Sequence, residues 1–327
     1  MISSSDNNPA NHPLLRRTDY PGGSLRSRAI SVALRCTIKP VIAMWMRTPG
    51  LRWPYHVADW LGRPLISAPG VTRCAVALPS CAAVLTRPAG DRPDRFVVYL
   101  HGGGFLVGGT HLHRQMTARF AAELGAEVLA VAYRKLPVHS IATSVADSLE
   151  GYRYALERGV RPEKITIMGD SAGGYLALMT AIEIRRHGLP SPAAVVAMSP
   201  LTDWDLPASS AAHTCALFPR TARSSFRAVA MNAALGQPLE SPAHCDLTGL
   251  PPTLIQAGRA ESLYPDAVLM ASRLAEHGVP CDLQVWDGEV HVFQAAASVT
   301  PEAAAAVAEI GRFLDRTLAT GVIGRTA

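Results

Sequence analysis

Lysine is almost missing from this chain: it occurs only at positions 39, 135 and 164 of 327 residues. Arginine carries nearly all the positive charge, charged residues make up 17% of the whole, and the net charge is +5. Beyond Arg16-Arg17 and the pair Arg26 and Arg28, no dense basic run with interleaved aromatics occurs, so no nucleic-acid partner is expected. The arginine and alanine bias reads as the coding habit of a GC-rich genome. Six scattered cysteines (36, 74, 81, 215, 245 and 281) show no CxxC and no Cys/His ligand spacing, which argues against zinc. Free thiols in a reducing compartment are favoured over a bridge between Cys74 and Cys81. Met1 to Asn11 lacks a charged segment followed by an apolar one, so no signal peptide is evident. The most apolar early stretch, Ala29–Met46, is interrupted by Arg35, Lys39 and Pro40 and reads as too short and too charged to span a bilayer. A cytoplasmic location is the expectation. Membrane contact through Leu25–Met46 as an amphipathic anchor is less favoured than a helix packed on the domain.

What is present is apolar residues, 48% of the chain, enough to bury a sizeable core. Residues 1–24 read as a polar tail, 25–46 as a helical stretch bent or split at Pro40, and 47–70 as a compact loop with Trp53, Tyr55 and Trp60. Strands are predicted at 71–78, 82–87, 96–100, 127–133, 164–168, 193–198, 253–257 and 282–286. Helical spacing occurs at 111–124, 141–158, 172–187, 265–277 and 301–318. The first strand pair suits an antiparallel hairpin. From residue 96 strand and helix alternate, which predicts an α/β fold with a mostly parallel, eight-stranded sheet covered on both faces. Between Asp203 and Gly249 the alternation stops. An insertion there lies at the carboxyl end of the strands, where open α/β sheets bind ligands.

One stretch organises the rest. Ile165 to Met168 reads as a buried strand, and from Ala172 the pattern is helical, so Ser171 falls at a sharp strand-to-helix turn. Gly169 and Gly173 remove Cβ atoms where such a turn has no room. Gly169-Asp170-Ser171-Ala172-Gly173 fits G-x-S-x-G, the nucleophile elbow of α/β-hydrolases. A plain Gly/Ser turn before a helix would explain that motif alone. A second motif argues against so plain a reading: the strand Phe96 to Leu100 runs into His101-Gly102-Gly103-Gly104. Three glycines let backbone N–H groups approach a substrate oxygen, as an oxyanion hole requires. Phosphate is the rival guest of a glycine-rich loop, but neither G-x-x-x-x-G-K-[ST] nor G-x-G-x-x-G follows.

With these motifs in hand, the chain resembles the hormone-sensitive-lipase family of α/β-hydrolases, its bacterial esterases above all. The residues that carry the likeness are His101–Phe105, Tyr133-Arg134 with Leu136-Pro137 and His139, Gly169–Gly174, Pro200–Asp203, and Ala257-Gly258 through His291-Val292-Phe293. The resemblance implies an N-terminal tail and cap segment over residues 1–70 and a catalytic domain over 71–327. A second cap segment is inserted at about 204–248, and the cap itself is formed by 25–70 and 204–248. Two departures stand out. Family members often read Arg-Leu-Ala-Pro-Glu-His where this chain has Arg134-Lys135-Leu136-Pro137-Val138-His139, and the family's acid is usually aspartate.

A serine hydroxyl needs a base in hydrogen-bond reach. His291 is the best of eleven histidines: it follows a strand and a short polar loop, and the order Ser171, acid, His291 is that of α/β-hydrolases. His101 orients the glycine loop; His111, His113 and His139 lie near strand ends, where pocket lining is one role and loop packing the favoured one. Glu261 is the expected acid, just past the strand at 253–257 and 30 residues before His291. Asp266, behind Pro265, suits a first helical turn instead. The oxyanion donors are expected from Gly103, Gly104 and Ala172, with His101, Gly102 and Asp170 in support. The implied function is a serine carboxylesterase for short- to medium-chain esters, working through an acyl-enzyme without metal or organic cofactor. A lipase at a membrane surface and a non-catalytic binding protein are the alternatives. The oligomeric state is left open.

Overall fold

The apolar runs become strands buried on both faces. In the computed structural model, which describes residues 12–48, 51, 53–62, 70–90, 93–207 and 214–323, the central strands are β4 (Arg95–Leu100), β6 (Ile165–Asp170), β7 (Ala194–Met198) and β8 (Thr253–Gly258). Every residue of β6, β7 and β8 is buried, which is why these segments read as unbroken apolar runs. Around them lie β2 (Val71–Ala77), β3 (Ala82–Pro88), β5 (Ala126–Ala132) and β9 (Cys281–Trp286). All eight predicted strands are therefore present.

Among the described residues the sheet nonetheless has nine strands, the ninth being β1 (Leu15–Tyr20), in the order β1-β9-β8-β7-β6-β4-β5-β3-β2. This extra strand lies inside the stretch read as a tail, of which residues 1–11 fall outside the described residues. It runs parallel to β9, with Leu15 opposite Cys281 and Tyr20 opposite Trp286. Tyr20 stacks on Trp286 at 4.2 Å, and Arg16 pairs with Asp282. Among the described strand pairs, only β2–β3 and β3–β5 are antiparallel.

Alternation along β4 divides the core. Val97 and Tyr99 join Phe120, Val128, Met168 and Ile310 on one face; Phe96, Val98 and Leu100 join Leu129, Ile165 and Ile167 on the other. Helices α4 (Arg114–Leu124) and α9 (Pro301–Ile323) cover the first face; α5 (Ile141–Glu157), α6 (Ala172–Arg186) and α8 (Tyr264–Glu276) cover the second. Each fully buried Leu, Ile, Val or Phe contributes about 1.5–3 kcal/mol relative to exposure. Caps set the helix ends: Ser140 accepts from the Thr143 amide at 3.3 Å, and Gly125 closes α4 at φ 56°.

Ahead of the sheet lie α1 (Leu25–Cys36), α2 (Ile38–Arg47) and α3 (Tyr55–Leu61). The break falls at Thr37, before Pro40, because the proline ring would meet the carbonyl four residues back, that of Cys36. The stretch read as a loop over 47–70 contains α3. Leu25–Arg47 is long and apolar enough, by length and composition, to cross a membrane, and little of it is buried. Trp45, by contrast, is buried: it donates to Tyr55 Oη at 2.8 Å and lies 4.9 Å from Phe226. Phe226 belongs to α7 (Ala222–Ala233), in the stretch where alternation stops; residues 208–213 of that stretch lie outside the described residues.

Candidate active site

The site assembles at the carboxyl ends of β4, β6, β8 and β9. Ser171 sits between β6 and α6, as the cap residue of α6, with φ 54° and ψ −118°, a conformation costly for any residue with a side chain. The crowding is severe: a Cβ on Gly173 would sit 1.9 Å from the Leu100 carbonyl oxygen, and one on Gly169 would sit 2.1 Å from the Gly173 oxygen. Here glycine is a steric requirement. The Ser171 amide donates to the Met198 carbonyl at 2.8 Å, which pins the turn to β7.

The three residues expected to cooperate are brought together from three strand ends. His291 Nε2 lies 2.8 Å from Ser171 Oγ, and His291 Nδ1 lies 2.6 Å from Glu261 Oε2. Glu261 is fully buried and its other oxygen accepts the Gly258 amide at 3.0 Å, so both carboxylate oxygens are engaged. Phe218 meets the imidazole edge-to-face, with ring centroids 4.9 Å apart. One support could not be read from the sequence. Buried Ser199, itself at φ 48°, accepts the Val292 amide at 3.1 Å through its hydroxyl and so holds the loop that carries His291.

The glycine loop is braced from below. Asp170 accepts the Gly102 amide at 3.0 Å and the Tyr99 hydroxyl. Tyr133 Oη donates to the His101 carbonyl at 2.6 Å, and the two rings stack at 4.4 Å. His101 Nδ1 lies 2.7 Å from the Gly102 carbonyl, a bond that requires the proton on Nδ1. Burial, then the charges of Lys135 and His113, hold the His101 pKa well below its ordinary value; burial and then Asp170 push the Tyr99 phenol up. His113 is not only loop packing, since it also lines a cavity described below. Gly103 adopts φ 120° and Gly104 φ 61°. Among the described residues, no hydrogen bond within the protein takes up the N–H groups of Gly103, Gly104 or Ala172. Tyr99 and Ser199 lie in or beside ordinary strands, and no motif distinguishes them.

Asp266 does more than occupy a first helical turn. It is fully buried, accepts the Thr202 amide at 2.9 Å and the Asp203 amide at 3.2 Å, and pairs with Arg223 of α7. It thereby ties the α7 segment to the sheet.

Two cavities open on Ser171. One of about 60 Å³ is lined by Phe105, Leu201, Trp204, Phe226 and Leu263; the other, of about 610 Å³, by Ile38, Ile42, Trp45, Val107, Leu217 and His291. Away from both, Cys81, Asp147 and Glu150 are the potential metal-ligand group among the described residues. Arg134 already engages Asp147 and Ser80 engages Glu150, while burial pushes the Cys81 thiol up to about 12. The cysteines of the chain are free, Cys74 and Cys81 included.

The sequence profile of the alpha/beta hydrolase fold matches residues 97–295. The chain belongs to that family, in its hormone-sensitive-lipase branch. Among curated relatives, the esterase LipU of Mycobacterium tuberculosis is 39% identical over 291 residues, covering 85% of this chain and 98% of LipU. LipF of the same organism, named a carboxylesterase/phospholipase, is 36% identical over 310 residues, covering 90% and 82%. A crystal structure of an esterase from the bacterial hormone-sensitive lipase family superposes with a TM-score of 0.75 at 30% identity, covering 85% of this chain and 97% of that one.

Proposed function

We propose that this protein is a serine carboxylesterase for short- to medium-chain esters, with Ser171, His291 and Glu261 as its triad. The observation that carries the reading is the unbroken run from Ser171 Oγ through both imidazole nitrogens to a buried carboxylate, at 2.8 and 2.6 Å. His291 Nε2 takes the proton as Ser171 Oγ attacks the ester carbonyl carbon. The amides of Gly103, Gly104 and Ala172 face the developing oxyanion, helped by the positive end of α6. The bond to the alcohol oxygen breaks, His291 returns its proton to that oxygen, and the acyl group stays on Ser171. Water, deprotonated by His291, then releases the acid and restores the serine. Glu261 keeps the Nδ1 proton in place and stabilises the imidazolium.

Steady-state hydrolysis of p-nitrophenyl esters tests the reading. Acetate to octanoate esters are expected to turn over, and Ser171→Ala to lose at least about 10³-fold in kcat. Retained activity in Ser171→Ala removes the serine from the mechanism. Equal or better turnover of emulsified long-chain triacylglycerol removes the chain-length limit.

A further inference from the structure

The two cavities at Ser171 are unequal, and the chemistry decides how an ester divides between them. The leaving oxygen must collect its proton from His291 Nε2, so the alcohol half must extend on the side of Ser171 that His291 faces. Gly104, Ser171, Phe218 and Phe226 border both cavities; His291 and Val292 line only the one of about 610 Å³, and Ala172, Leu201, Trp204 and Leu263 only the one of about 60 Å³. We propose that the small cavity is the acyl site and the large one the alcohol site. The preferred substrate is then an ester of a short carboxylic acid, of about two to four carbons, with a large, mainly apolar alcohol. This inference rests on the esterase reading and narrows it.

The sizes support the division. A single water needs roughly 10–15 Å³ on this scale, so the small cavity, at about 60 Å³, offers far less room beside Ser171 than the large one. One wall of the small cavity is close-packed. Trp204 is buried and packs on Phe105 at 5.8 Å and Tyr175 at 5.9 Å, and Leu201 and Leu263 are buried beside it. A close-packed wall of this kind yields little to a longer chain. Arg223, also in the lining, is committed to Asp266 and the Asp203 carbonyl, and Arg220 is exposed.

The large cavity has the volume of a site for a drug-sized molecule. Its walls are mainly aliphatic and aromatic: Ile38, Ile42, Trp45, Trp53, Val107 and Leu217. Polar groups within it already have partners. Asp170 is held by Gly102 and Tyr99, Tyr55 Oη accepts from Trp45, and His113 Nδ1 lies 3.1 Å from the Gly109 carbonyl. Among the described residues, Asp170 is the one carboxylate in the lining, with its Oδ2 3.9 Å from His113 Nε2, and burying apolar surface against the remaining walls is favourable.

Two substrate series on the full-length protein test the division: p-nitrophenyl esters with acyl chains of two to twelve carbons, and acetate esters of linear alcohols over the same range, followed by acid release. In the acyl series kcat/KM is expected to fall about tenfold or more beyond four carbons; in the alcohol series it is expected to rise about tenfold or more with length. Leu263→Ala, which enlarges the small cavity, is expected to shift the acyl optimum upward, and Ile42→Trp, which fills the large one, to shift the alcohol optimum downward. Long acyl chains tolerated with an alcohol series flat or falling, or the two variants exchanging their effects, overturns the assignment. Failure of every ester in both series would instead remove the esterase reading itself.

Discussion

Glu261 holds its place by two hydrogen bonds of different kinds. One oxygen meets His291 Nδ1 and the other the Gly258 amide. Glu261→Gln can keep the second while losing the charge that fixes the imidazole tautomer. It is expected to fold and to lose about 10³–10⁴ in kcat, checked by steady-state kinetics alongside circular dichroism. Asp266→Asn is expected to behave in the opposite way. It leaves the reacting groups alone but breaks a buried pair with Arg223, a loss of about 3–5 kcal/mol read by urea unfolding. His101 adds a pH dependence. Its folded pKa lies below the ordinary value of 6.5, so below about pH 6.5 the unfolded chain binds a proton the folded chain refuses, and stability falls with pH. The stability difference between wild type and His101→Gln is expected to be constant above pH 6.5 and to shift in the variant's favour below it, by up to about 1.4 kcal/mol per pH unit.

At the scale of elements, what could be read in advance followed burial. Strands such as β6 and β7 are enclosed on both faces, so their sequences are unbroken apolar runs. The edge strand β1, Leu-Arg-Arg-Thr-Asp-Tyr, has no such run: its pairing partner is Cys281–Trp286, far along the chain, and local pattern carries no trace of that. The elbow and the glycine loop were legible because backbone crowding demands glycine there. Ser199 and Tyr99, which hold those loops, were not legible, because a buried serine or tyrosine announces no role until its partner is known. The N-terminal segment is tied to the loop of His291 as well. Gly23 donates its amide to Glu289 at 3.3 Å and Ser27 its hydroxyl at 2.8 Å, and burial raises the Glu289 pKa. Deleting residues 1–22 uncovers the edge of β9 and the face of Trp286. The truncated protein is expected to unfold at lower temperature and to self-associate, as thermal unfolding and size-exclusion chromatography will show. Unchanged melting and elution would mean that β1 contributes nothing to the fold.

Across the whole molecule, the sheet serves to gather loops from four strand ends around one serine. β6 and β4 are neighbours, with Gly169 opposite Leu100, so the elbow and the glycine loop lie side by side. β8 and β9 are neighbours, with Gly258 opposite Trp286, so acid and base also emerge together. The α2 and α7 helices meet above them through Trp45 and Phe226 and enclose the space where an ester would lie. The central claim is that Ser171 is the nucleophile of this arrangement. Its most direct test is mass-spectrometric mapping after reaction with a fluorophosphonate. The expected result is one adduct per chain, on the peptide containing Ser171, with none formed by a folded Ser171→Ala variant. An adduct on another serine, or labelling that persists in that variant, would contradict it.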